Sequence, residues 1–120
     1  MKYTIPEALV ELKPGAEWTC LGNTYSGINW LDGSQTKPTE TEVNNKITEL
    51  DAAEPMRLLR VERDRRIALT DWRACSDLTL ASAWSTYRQA LRDLPASASP
   101  KLDANYNLDL TSVTWPTEPS

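Results

Sequence analysis

The sequence predicts an α+β chain with an N-terminal β-hairpin, an antiparallel helical hairpin and a short C-terminal β-like tail. Three observations carry this reading. First, two β-prone runs, 17–21 and 24–31, flank the pair Gly22-Asn23, the composition of a tight hairpin loop. Second, between residues 56 and 95 apolar side chains recur at helical steps on two consecutive stretches, each the signature of one helix face. Third, after Pro95 a small polar linker leads to Leu108/Leu110 and Val113/Trp115 in alternation, the period of strands. The expected organisation is 1–38, a short helix and β-hairpin; 39–95, the helical region; and 96–120, a linker and C-terminal extension.

Pro6 opens a short helix with Ala8, Leu9 and Leu12 on its apolar side, because proline suits the first helical turn. A Lys-Pro-Gly turn at 13–15 ends it. In the hairpin, Trp18 alternates with Cys20 and Ile28 with Trp30, and Gly27 reads as a bulge. A lone hairpin is marginal in water, so it packs on the helices, pairs with another strand, or joins a partner's sheet edge. Residues 32–38 form a loop by composition. Thr39 and Glu42 have the spacing of a capping box, each side chain serving the other's backbone N–H. Val43, Ile47 and Leu50 continue that helix to Ala53, where Pro55 is expected to break or kink it.

In the helical hairpin, Leu58, Val61, Ala68, Leu69 and Trp72 share one face with Arg65 in its middle. Arg65 is expected to lay its stem along the partner helix and push its guanidinium to the rim or to a carboxylate, with Asp71 and Asp93 as candidate partners. Thr79 is the expected N-cap of the next helix. Its stripe is Leu80, Trp84, Tyr87, Leu91 and Leu94, and Pro95 is expected to stop it at Leu94. Two such stripes across a short connection pack as an αα-hairpin.

A chain of 120 residues holds one ordinary domain or two small lobes. Apolar residues make up 40% and charged residues 25%, the balance of a soluble globular chain. Phe is absent, so aromatic burial falls to five Trp and four Tyr. No apolar run reaches the ~20 residues that span a bilayer, and the acidic N-terminal stretch lacks a signal-peptide pattern. No membrane partner is expected, and synthesis is expected in the cytoplasm. Cys20 and Cys75 stand far apart in no metal spacing and read as reduced thiols. The absence of histidine removes His-dependent triads and His-ligated metals, and the four glycines form no phosphate loop. A working carboxylate pair is a minor alternative. No enzyme activity is expected, and no catalytic, cofactor-binding or metal-ligating residue is nominated.

Charge is unevenly placed. Residues 1–54 carry a net −5, residues 55–94 a net +3 from eight arginines against five carboxylates, and the remainder −2. This layout fits self-association as a homo-oligomer or docking on an acidic partner. A pI near 4.8 argues against nucleic acid, and the arginine run 57–66 reads first as a solvated helix face.

The stretch Arg60-Val-Glu-Arg-Asp-Arg-Arg-Ile-Ala-Leu-Thr-Asp-Trp72, with Trp84-x-x-Tyr87-Arg88-x-x-Leu91-Arg92-Asp93-Leu-Pro95, resembles the tail assembly chaperone domain of tailed bacteriophages. The closing Trp115-Pro116 is similar to that family's usual ending. The leader, with Trp18, Trp30-Leu-Asp32 and Pro38-Thr39, resembles those of phage virion or tail proteins, notably of cyanophages. The segment from Thr79 to Trp84 departs from the pattern: it is shorter and lacks the customary Glu. The resemblance implies a non-catalytic protein of tail or tail-fibre assembly. It would bind other phage structural or tail proteins in the host cytoplasm, with retention in the virion left open. A permanent multicopy virion component (tail, baseplate, fibre adaptor or decoration protein) is the alternative, and a nucleic-acid binder acting through 57–66 a weaker one. Arg60, Arg63, Asp64, Asp71, Trp72, Trp84, Tyr87, Arg88, Leu91, Arg92, Asp93 and Pro95 are the signature residues expected to hold the fold. Trp18, Trp30 and Trp115 are candidate interface anchors, since aromatics and Arg dominate interfaces; packing in the chain's own core carries at least equal weight.

Overall fold

A computed structural model describes residues 2–74 and 81–119. The chain is α+β and divides into two compact units, Met1–Glu54 and Pro55–Ser120. The division falls inside a helix, α2, rather than at a loop.

The first unit begins with α1 (Ile5–Leu12). The Glu7 carboxylate accepts the Thr4 backbone N–H at 2.9 Å and also the Thr4 hydroxyl, securing the helix start. Two short strands follow, β1 (Trp18–Cys20) and β2 (Ile28–Trp30), antiparallel with Trp18 opposite Trp30 and Cys20 opposite Ile28. The expected two-residue loop at Gly22-Asn23 is not what joins them. Residues 21–27 do, through a 3₁₀ turn at Tyr25–Gly27. Gly27 is required by proximity, not by a bulge. A Cβ there would lie 2.0 Å from the Leu21 carbonyl oxygen, while the Leu21 N–H donates to the Gly27 carbonyl at 2.9 Å.

The first half of α2 (Glu40–Ala68) closes this unit. The Glu42 N–H donates to Thr39 Oγ1 at 3.2 Å, and the Thr39 N–H to Glu42 Oε1 at 3.4 Å, which is the expected capping box. Ile5, Ala8, Leu9, Ile28, Val43 and Ile47 form the core, ringed by Tyr3, Leu12, Trp18, Cys20, Tyr25 and Trp30. Asp51 Oδ1 accepts the Lys2 and Tyr3 backbone N–H groups, each at 3.0 Å. Buried Glu54 takes Lys2 Nζ at 3.4 Å and the Tyr3 hydroxyl.

Pro55 was expected to break or kink the helix; it does not break it, and α2 continues as one element across it. Pro55 has no N–H to donate within it, and its ring crowds the carbonyl four residues back. In the second unit, α2 meets α3 (Ser82–Ser97). Leu59 clusters with Leu94 and Val113, and Ile67 packs on Trp84, Tyr87 and Leu91. Rising numbers on α2 meet falling numbers on α3, so the pair is antiparallel. α3 does not stop at Leu94 as expected. Pro95 sits in its last turn, and the Ala98 N–H closes on the Leu94 carbonyl at 3.0 Å beyond it. Its N-cap is Ala81, whose carbonyl accepts from Trp84 and Ser85; Cys75, Asp77, Thr79 and Leu80 lie outside the described residues. The tail has a single bridge, Leu102 to Leu108, and a 3₁₀ turn at Leu110–Ser112 in place of the expected strands.

Candidate protein-binding surface of the second unit

Arg88 ties α2 to α3. Its side chain is nearly buried, and one guanidinium nitrogen reaches Thr70 Oγ1 at 2.8 Å, Asp71 Oδ1 at 2.9 Å and the Ile67 carbonyl at 3.4 Å. The last carbonyls of a helix have no partner within it, so a cation from the next helix is well placed there. Thr70, also buried, donates its hydroxyl to the same Ile67 carbonyl at 2.8 Å. Thr70 and Asp71 after one helix and Arg88 on the next therefore form one hydrogen-bonded joint.

Aromatic residues flank the joint. The Trp84 and Tyr87 rings meet edge to face, with centroids 5.8 Å apart. The Arg73 guanidinium lies 3.8 Å from the Trp84 ring centroid and 4.3 Å from that of Trp72, and so sits over both rings. Arg66 stacks over Trp115 at 4.0 Å while its Nε donates to Glu62 at 3.0 Å. Trp115 Nε1 donates to the Leu110 carbonyl at 3.1 Å. This fastens the tail to both clusters of the second unit.

The remaining nominated residues are spread out. Arg60 and Arg92 are exposed. Arg63 pairs with its exposed neighbour Asp64 at 2.8 Å. Asp93 accepts from Gln89 at 2.9 Å, on the solvent side of α3. Leu91 is fully buried and Pro95 half-buried. Trp18, Trp30 and Trp115 are each half-buried against a cluster of their own unit. Sequence reasoning did not single out Ile67, Thr70 or Arg73, and it placed Arg66 in the solvated run 57–66 rather than over Trp115. The Thr-Asp-Trp-Arg run at the helix end was the available signal.

The buried face of α2 also differs from expectation. Met56, Leu59, Ile67 and Thr70 face the tail and α3, whereas Val61, Leu69 and Trp72 are 56%, 62% and 56% exposed. Arg65 is correspondingly outside. It binds Glu62 through Nε at 2.9 Å and a terminal nitrogen at 2.7 Å, not Asp71 or Asp93. These bonds hold the Glu62 carboxyl below the usual carboxylate range, the Arg65 hydrogen bond being the largest cause and Arg66 adding to it. The second half of α2 is apolar on two sides, and only one of them is covered.

Among the described residues, no three potential ligands gather for a metal ion, and no helix is long and apolar enough to cross a membrane. A groove between α3 and the tail is lined by Ser82, Thr86, Tyr87, Ala90, Pro116 and Glu118, and Glu118 is the sole carboxylate of its lining.

A joined helix pair with a fastened tail and one uncovered side defines a helical-hairpin module. The family model for phage tail assembly chaperone protein matches residues 56–120, and the chain belongs to that family. The matched segment begins one residue inside the second unit, so the first unit lies outside it. No curated protein and no solved structure matches the chain.

Proposed function

We propose that the protein acts without catalysis in assembly of a phage tail or its fibres, in the host cytoplasm, by binding other phage structural proteins. The observation that carries this reading is the coincidence of the family segment with a self-contained unit. That unit is held by Arg88 and leaves apolar side chains in water on α2. Exposed aromatic and aliphatic side chains beside arginines are what interfaces use. The half-exposed edges of Trp18, Trp30 and Trp115 are secondary contact points, since each already packs within its own unit.

Disrupting the gene in its phage tests the reading. Filled heads without mature tails are expected, with rescue by the chain supplied in trans. Normal, infectious tails would overturn it. Mass spectrometry of purified particles then separates the roles: absence marks a transient chaperone, and stoichiometric presence marks a permanent virion component.

A further inference from the structure

We propose that residues 101–115 are a removable cover over a binding seat on α2 and α3. When the cover leaves, a partner's segment with a branched aliphatic residue and a tryptophan two positions apart takes its place. The proposal rests on the tail-assembly reading and adds where the partner docks and what holds the seat shut. The cover braces itself. The Asp109 N–H donates to the Lys101 carbonyl at 2.8 Å, and the Lys101 N–H to Ser112 Oγ at 3.0 Å. Asp103 accepts the Asn105 and Asn107 N–H groups at 2.8 and 3.0 Å. It meets the helices through apolar side chains and one stacked ring: Val113 and Leu108 against Leu59 and Leu94, and Trp115 on both clusters and under Arg66.

Lifting the cover orphans none of these polar groups. Trp115 Nε1 keeps the Leu110 carbonyl, which travels with it, and Arg66 keeps Glu62. What is lost is apolar burial and one cation–π contact, and a segment with the same two side chains restores both. The present occupant therefore defines the chemistry of its replacement. A second copy's tail offers the same contacts and no more. It competes with a tail tethered to α3 by residues 98–100, at an effective concentration on the order of millimolar. A partner prevails by adding contacts. The open groove beside Pro116, about 600 Å³ and lined in part by Ser82, Ala83, Thr86 and Ala90, gives room for them.

A labelled peptide with the sequence of residues 101–119 tests the proposal by fluorescence anisotropy with the full chain. Trp115→Ala and Val113→Thr in the chain, checked for native circular dichroism, loosen the cover and leave the seat unchanged. Each should bind the peptide at least about tenfold more tightly than the unaltered chain. A peptide carrying Trp115→Ala should lose at least about tenfold. In the unaltered chain, saturating unlabelled peptide should shift the indole N–H resonance of Trp115, whose ring leaves Arg66. No binding to any of the chains, equal binding with and without the two substitutions, or a Trp115 resonance unmoved at saturation overturns the proposal. So does sedimentation showing an oligomer that Trp115→Ala dissolves, because the tail of a second copy is then the occupant. Normal tails from the gene-disrupted phage would instead sink the assembly reading and leave the peptide result standing.

Discussion

Arg88 shows how one side chain decides a joint. Replacing it with Met keeps the stem and removes every donor, leaving Thr70 bonded to Ile67 and deleting the 2.9 Å bond to Asp71. Charged hydrogen bonds contribute about 1.5–3 kcal/mol, so Arg88→Met should lower the stability of the second unit by about that amount in urea melts. Asp71 is largely exposed; Asp71→Asn should cost less than ~1 kcal/mol, as for most exposed pairs. Asp32 is the counterpart in the first unit. Its carboxylate accepts the N–H groups of Gln35 and Ser34 at 2.8 Å and Glu17 at 3.0 Å. The Gln35 and Glu17 bonds, then Ser34, lower its pKa to about 2. The contribution of a carboxylate with a lowered folded-state pKa is complete above the unfolded value of ~3.9. It is lost as the pH falls toward 2. The protection of the Ser34 and Gln35 amides, measured against the intrinsic exchange rate at each pH, should therefore fall across that window, and Asp32→Ala should remove that change in protection.

At the scale of elements, close approach and proline placement make the sharpest predictions. Gly27→Ala drives a methyl into the Leu21 carbonyl and should destabilise the first unit by more than ~2 kcal/mol, the range of a backbone clash. Pro55→Ala restores a donor inside α2 and should stabilise by about 1–3 kcal/mol, read as a higher urea midpoint. Both features bear on what the sequence revealed. The capping box at Thr39 and Glu42, the stripe of Trp84, Tyr87, Leu91 and Leu94, and the first helix were legible, because local spacing determines them. The connection at 21–27 was not, since Gly22-Asn23 has hairpin composition while Tyr25–Gly27 supplies the actual turn. The buried face of α2 was also hidden. Both sides of its second half are apolar, and the choice is made by Val113, Trp115 and Arg88, which are distant in sequence. The joint at Arg88 was visible only as a motif; its hydrogen bonds depend on where two helix ends meet.

For the whole molecule, the two units predict two zones of response. Leu9 and Leu91 are each fully buried, one in each unit. Leu→Ala at such sites costs about 2–5 kcal/mol. Amide exchange in Leu9→Ala should speed up chiefly across 2–54, and in Leu91→Ala chiefly across 55–74 and 81–119; a uniform response in either variant would contradict the division.

The second unit closes only when Val113 reaches Leu59 and Trp115 slides beneath Arg66. That meeting needs a long loop to form before any contact rewards it. Until it is made, Leu59, Leu94 and the Arg66 guanidinium lack the cover that Val113 and Trp115 give them.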